Sequence, residues 1–249
     1  MTTATDPPEG STTRKPEKIP LSARPFSHKP PYAPELAERV PVLQAFSLAI
    51  ANYVRLQAAA ASAGQERVPF LGAECGVFSG NSLMACAGLA RDSGIDFRLL
   101  GFDTFTGLPE LSATDRQLAP SSAPYLRKTM FTETSYEGVA ARVAEAGLQR
   151  EISLHQGLFA QTLPKLAEAK YHFVNIDCDL YEPHLECLEY FYPRMVPGAV
   201  VFFDDYHSKD YPMAGKAVDH FMAGVPEQLM HLRFGPDAAN RTKSFFIKY

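Results

Sequence analysis

Four carboxylates fall at the ends of two apolar runs. Phe173 to Ile176 leads into Asp177 and Asp179, and Ala199 to Phe203 leads into Asp204 and Asp205. If these runs are neighbouring parallel strands, the four acids share one edge of a sheet. Like charges that close call for a cation or a positive ligand between them. Oxygen donors of this kind suit a hard divalent ion such as Mg²⁺, which keeps positions free for water or substrate. Asp177, Asp204 and Asp205 can converge from adjacent strand ends and are the candidate metal ligands. Asp179 lies one residue beyond that reach and reads as a cap for a helix starting near Tyr181. His207 follows the acids and has the chemistry of a general base or a metal ligand.

A second set lies earlier, in Glu74-Cys-Gly76-Val-Phe78-Ser-Gly80-Asn-Ser82. Glycines let a backbone turn sharply and approach a ligand closely. A nucleotide-type cofactor can sit on such a turn, at the switch point of a parallel sheet. The spacing is not G-x-G-x-x-G, so it does not specify a dinucleotide, and a plain strand-to-helix turn fits the same residues. Asp103 closes the next apolar run. An acid there can accept the hydroxyls of a ribose or cap the turn from Thr104 to Gly107.

The elements that must position these groups alternate. A helix is expected from Pro34 or Pro41 to Gly64, a strand over Val68 to Ala73, and a helix over Asn81 to Arg91. Then follow a strand over Phe97 to Phe102, a helix over Tyr136 to Ala146, and a short strand over Ile152 to His155. A helix near Pro164 to Ala169, a strand over 171 to 177, a helix over 181 to 193, a strand over 199 to 204 and a helix near 213 to 223 continue the series. Strands near 228 to 233 and 243 to 248 form a closing antiparallel hairpin around the turn-rich Gly235 to Asn240. Repeated strand–helix–strand units imply an α/β fold with a mainly parallel sheet covered on both faces. Residues 104 to 135 have no period and read as a lid-like loop.

Residues 1 to 33, rich in Pro, Thr, Ser and charge, read as a flexible tail, and 34 to 249 as a single domain. A net charge of −4 with no long basic run argues against a nucleic-acid partner. No apolar stretch reaches the roughly 20 residues that span a bilayer, so no membrane partner is expected. The N-terminal MTTATDPPEG lacks the apolar core of a signal peptide. Cys75, Cys86, Cys178 and Cys187 form no C-x-x-C pair and read as reduced thiols of a cytoplasmic protein.

The strings GAECGVFSGNS, GFDTFTGLPE, GLFAQTLPKL, NIDCDLYEPHLECLEYFYPRMVPGAVVFFDDY and GKAVDHF, in this order, resemble the macrocin O-methyltransferase (TylF-like) family. Its members are metal-dependent, use S-adenosylmethionine, and methylate sugar hydroxyls, mostly on natural products. The resemblance covers about residues 68 to 223. It implies a Rossmann-like class I methyltransferase fold with seven strands, the last antiparallel. It also implies that Glu74, Gly76 and Gly80, with Phe78 and Ser82 on the same turn, border the methionine part of the cofactor. Asp103 would hold its ribose, and the turn of Gly157, Leu158 and Phe159 would border the adenine. Asp177, Asp204 and Asp205 would ligate Mg²⁺, and Asp177 would also face the cofactor and act as general base. Related catechol enzymes carry a lysine three positions after that acid. Leu180 stands there instead, which argues against a catechol acceptor and leaves His207 as the rival base. A sugar or glycoside acceptor and a homo-oligomer, most simply a dimer, follow from the same resemblance. Two other readings compete. Asp177-Cys178-Asp179 fits the D-x-D of a metal-dependent glycosyltransferase, and the fold could serve a non-catalytic binding protein.

Overall fold

A computed structural model describes residues 36–126, 130–233 and 242–249. The Pro-rich tail and the turn at 235–240 lie outside the described residues. Helix α1 (Leu36–Ser62) carries Pro41 in its second turn rather than at its start, and closes at Gly64, whose φ is 72°. Alternation then follows: β1 (Phe70–Cys75), α2 (Asn81–Asp92), β2 (Phe97–Asp103), α3 (Ala113–Leu118), α4 (Tyr136–Glu145), β3 (Ile152–Gln156) and α5 (Phe159–Thr162). After these come β4 (Tyr171–Ile176), α6 (Tyr181–Phe191), β5 (Met195–Phe203), α7 (Pro212–Met222), β6 (Met230–Arg233) and β7 (Thr242–Ile247).

The seven strands form one sheet in the order β3-β2-β1-β4-β5-β7-β6. β1 to β5 pair in parallel, and β7 pairs antiparallel with both neighbours. The central strands read as unbroken apolar runs because both faces are covered. In β4 and β5 the residues alternate between two cores. Phe173, Val200 and Phe202 face the layer of α1, α2 and α4. Val174, Val201 and Phe203 face Leu188, Phe191 and Val218 of α6 and α7. Edge-to-face rings lock α1 to the sheet, with Phe46 at 4.9 Å from Phe173 and 5.3 Å from Phe70.

Three expected elements differ. The segment 104–135 is not patternless: it holds α3 and a 3-10 turn at Pro124–Leu126. Its Ala123 and Tyr125 pack on Met213 of α7, with Leu108, Leu111 and Leu118 around them. Its apolar residues serve this small satellite core, so no long period is visible. The helix expected near Pro164 to Ala169 starts earlier, because Gly157, at φ 135°, turns the chain straight out of β3. A 3-10 turn over Leu163–Lys165 follows α5, and Leu166 is already extended. β5 begins at Met195, four residues ahead of the apolar run, where Tyr171 pairs with it across an irregular register.

Candidate active site

The chain builds β1, β2 and β3 outward on one side of the sheet, then crosses back to lay β4 on the other side of β1. The chain leaves β1 and β4 toward opposite sides of that reversal, which opens a crevice above their carboxyl ends. Backbone hydrogen bonds set the residues just past the strands in one row. The amide of Gly157 donates to the carbonyl of Asp103 (2.9 Å), Gly76 to Phe102 (2.9 Å), Asp177 to Cys75 (2.8 Å) and Asp204 to Ile176 (3.2 Å). A cavity of about 740 Å³ lies over this row.

Of the candidate cofactor residues, Gly76, Phe78, Asp103, Gly157, Phe159 and Asp177 line the cavity. Glu74, Gly80 and Ser82 do not; they build the turn from behind. Glu74 is buried, its Oε1 accepting from the Ser82 hydroxyl and from Asn175 Nδ2 (2.9 Å). Burial pushes its carboxyl up to about 8, and its Oε2 has no partner. Gly80 sits at φ 78° ahead of α2, and a Cβ there would meet Val139 at 2.9 Å. Gly76 is the closest approach in the site. At φ 95°, a Cβ would lie 1.7 Å from the Asp177 carbonyl oxygen, so only glycine lets β1 and β4 converge here. Asp103 holds two turns, the capping being one of the two roles open to it: Oδ1 accepts from the Phe105 amide (2.7 Å) and Oδ2 from the Phe78 amide (2.8 Å). Its carboxylate therefore fixes both cavity-edge turns.

Ligand oxygens of Asp177, Asp204 and Asp205 lie within 4.8 Å of one another. Burial, followed by repulsion from Asp204 and Asp205, raises Asp177 well above the usual carboxylate range. Burial and then Asp204 raise Asp205 to about 7, against the pull of Lys243. Asp205 Oδ2 is buried without a partner. All-oxygen donors, mutual repulsion and an orphaned buried oxygen fit a hard divalent cation. Lys243 was not foreseen. Its ammonium contacts the Asp204 carboxylate and lies 2.9 Å from the Asp204 carbonyl. Burial pulls its pKa down, but Asp204, then Asp205 and Asp177, outweigh that and hold it above the ordinary lysine value.

Two expected roles are corrected. Asp179 does not cap α6: the residue ahead of that helix is Leu180, whose side chain makes no capping hydrogen bond. Asp179 lines the cavity instead, at φ 62°. The Tyr181 amide is taken from elsewhere, by Asp115 Oδ1 at 2.8 Å. Asp115, 1% exposed, also accepts from the Ser112 amide (3.1 Å) and hydroxyl (2.7 Å) through Oδ2. The second correction concerns His207, which is not among the cavity's lining residues. Its Nε2 lies 3.1 Å from Ser244 Oγ and 3.4 Å from His231 Nδ1, over β6 and β7. The chain turns between Asp205 and His207, so adjacency in sequence does not bring the ring to the acids.

Four non-glycine residues among those described have positive φ: Phe78, Phe105, Phe131 and Asp179. Three of them line the cavity. Such strain persists only where surrounding structure imposes it, and it concentrates at functional sites. Phe131 sits 5.5 Å from Phe78 and 6.3 Å from Tyr211, which stacks on Tyr125 at 4.7 Å. Phe78, Phe131 and Tyr211 line the cavity, and Tyr125 packs behind them in the satellite core. The four cysteines are free and buried, with the Cys178 thiol 3.3 Å from His184 Nδ1.

Residues 39–232 match the family model described as macrocin-O-methyltransferase (TylF). The chain is 29% identical over 135 residues to the 8-demethyl-8-(2,3-dimethoxy-alpha-L-rhamnosyl)-tetracenomycin-C 4'-O-methyltransferase of Streptomyces olivaceus. That match covers 53% of this chain and 51% of the relative, so the chain spans about half the length of that protein. It is 24% identical over 177 residues to the mycinamicin III 3''-O-methyltransferase of Micromonospora griseorubida, covering 70% of each. Among solved structures, the O-methyltransferase NovP is similar with a TM-score of 0.61 at 25% identity, over 73% of this chain and 72% of that one. The sheet order and these neighbours make the fold a Rossmann-like class I methyltransferase fold.

Proposed function

Since the chain belongs to the macrocin O-methyltransferase family, we propose that it transfers a methyl group from S-adenosylmethionine to a sugar hydroxyl of a small-molecule glycoside, with Mg²⁺ as the metal. The observation that carries this reading is the row of Gly157, Asp103, Gly76, Asp177 and Asp204 across adjacent strand ends. It sets a glycine turn and the Asp103 carboxylate beside the converging carboxylates of Asp177, Asp204 and Asp205. The glycosyltransferase and non-catalytic readings leave that combination without a use.

Asp177, Asp204 and Asp205 would hold the cation. Gly76, Phe78, Asp103, Gly157 and Phe159 would border the cofactor. When bound, the cofactor would supply an already activated methyl group, and the cation would lower the pKa of a nearby hydroxyl. Asp179 then takes the hydroxyl proton. It lines the same wall but lies outside the three converging ligands, and a carboxylate not committed to a cation is the stronger base. We assign that role to Asp179 rather than to Asp177 or to His207, which does not line the cavity. The 104–135 segment supplies Leu108, Glu110, Asp115 and Phe131 as one wall that orients the acceptor and keeps water out. We place the reaction in the cytoplasm, on the strength of four free thiols, and in a homo-oligomer, on the family resemblance. Among the described residues no helix is long and apolar enough to cross a membrane.

Calorimetry with S-adenosylhomocysteine tests the reading, with micromolar binding expected; no binding would overturn it in favour of a glycosyltransferase. The pair Asp204→Asn and Asp205→Asn should lose turnover and keep that binding. Turnover that persists in EDTA removes the cation from the mechanism. Asp179→Asn should cost more than a hundredfold in kcat with cation affinity kept, whereas Asp177→Asn should lose both.

A further inference from the structure

The hairpin of β6 and β7 carries a polar cluster that the site over the strand ends does not use. His207, in the turn after β5, meets His231 of β6 and Ser244 of β7, and their polar atoms form a triangle. His207 Nε2 lies 3.4 Å from His231 Nδ1 and 3.1 Å from Ser244 Oγ, and that hydroxyl is 2.9 Å from His231 Nδ1. Each vertex is set by structure around it. The antiparallel register places His231 directly opposite Ser244. The turn that brings in His207 is closed by the Ser208 amide on the Asp205 carbonyl, at 2.9 Å. Tyr206, whose hydroxyl donates to Asp219 at 2.8 Å, meets the His207 ring edge-on at 4.7 Å and stacks on His231 at 6.0 Å. Ser244 is buried, while both imidazoles are exposed, so an ion can enter from solvent.

Hydrogen bonding alone serves this triangle poorly. A ring nitrogen has one in-plane position for a proton or a lone pair, yet each nitrogen here faces two partners. The serine has one hydrogen to give. A single cation satisfies all three atoms at once. The spacing fits one: two nitrogens each about 2.1 Å from a tetrahedral ion stand about 3.4 Å apart. The donors also choose the class of ion. Imidazole suits Zn²⁺, Ni²⁺ and Cu²⁺, whereas the carboxylates of Asp177, Asp204 and Asp205 suit Mg²⁺. The positive side chains within electrostatic reach of His207 are Lys243 and Arg233. Lys243 is offset by Asp204, and Arg233 is exposed, where water and salt screen it.

We propose that His207, His231 and Ser244 form a second metal site, which takes a transition ion of the Zn²⁺ class and leaves the rest of its shell to water. The ion is a staple. It bridges the 24 residues between the two histidines and ties β6, a four-residue edge strand, to the turn that leaves Asp204 and Asp205. The clip falls where the sheet has least to hold it. The site holds or fails whatever the acid row binds.

The test titrates Zn²⁺ into the full chain, free of any polyhistidine tag and in excess Mg²⁺. Calorimetry counts the ions, and NMR follows the histidine ring signals. One Zn²⁺ should bind and move the ring signals of His207 and His231, each assigned by its loss in the corresponding alanine variant. His207→Ala and His231→Ala, both at exposed positions, should each weaken that event at least about tenfold. Zinc held by the acid row would persist in both variants. At a hundredfold excess over its dissociation constant, Zn²⁺ should raise the Tm of the parent by roughly 5–10 °C more than that of His207→Ala. If every Zn²⁺ event survives in both variants at the parent's affinity, or if the two ring signals stay in place, the proposal is overturned.

Discussion

One methyl group added at Gly76 should cut turnover about a hundredfold in a chain that still folds. The Cβ of Gly76→Ala would lie 1.7 Å from the Asp177 carbonyl oxygen, where real Cβ contacts stop near 3.0 Å. The obstacle is backbone, so no side-chain rotation relieves it. β1 and β4 must part at their ends by roughly 1 Å, and a misplacement of that size at reacting groups costs on the order of a hundredfold in rate. Alanine at φ 95° adds about 1–2 kcal/mol of backbone strain. Parting the strands also weakens the 2.8 Å bond from the Asp177 amide to the Cys75 carbonyl, by about 1 kcal/mol. Together these predict a fall in Tm of roughly 5–10 °C for a chain of this size. The assay is initial rates with labelled cofactor beside a thermal melt. Gly94→Ala is the control: φ there is 67° with nothing within 4 Å of the new Cβ, so it carries the strain without the collision. It should lower Tm and spare kcat. A Gly76→Ala enzyme with kcat within about threefold of the parent would refute the claim that this approach sets the position of Asp177.

Asp115→Ala strips the acceptor from the Tyr181 and Ser112 amides and should cost about 2–4 kcal/mol, seen in denaturant melts, with faster proteolysis within 104–135. His207→Ala should leave kcat within about twofold, since the ring lies with Ser244 and His231 outside the cavity. Lys243→Met should lower the Tm of the cation-free protein and enlarge the Tm gain on adding Mg²⁺, because Asp204 loses its internal partner. His172, 5% exposed, accepts the Leu71 amide through Nδ1, and burial pushes its pKa down to about 4. The unfolded chain protonates near pH 6.5 and the native chain near 4. Stability is therefore full above 6.5 and declines as pH falls from 6.5 to 4, by up to about 3 kcal/mol. His172→Gln should flatten that part of the melt-versus-pH curve.

What could be read from the sequence follows the distance over which its signals act. The apolar runs before Asp177 and Asp204 fixed both strands and the placement of their acids, because a buried parallel strand writes itself as a local pattern. Lys243 left no such trace. It meets Asp204 only through the antiparallel register that sets Phe203 opposite Ser244, and pairing partners are not written in either strand alone. Asp115 was hidden for another reason. Its partner Tyr181 lies 66 residues away, and the short α3 that carries it packs in a satellite core too small to show a period. Asp179 misled because an acid near a helix start is a common cap, but the N-cap position of α6 falls on Leu180. Here the left-handed backbone at that residue turns the side chain to the cavity, and Asp115 fills the vacancy.

The Asp115 carboxylate has a mechanical consequence. One side chain, buried to 1% exposure, closes the first turn of α3 with one oxygen and the first turn of α6 with the other. The wall and the proposed proton acceptor are thus interlocked. The 104–135 segment cannot swing off the cavity as a free flap, for any such movement pulls the cap from Tyr181, two residues from Asp179. An enzyme built this way would be disarmed whenever it is open: admitting or releasing a bulky acceptor and aligning the base become the two ends of one lever.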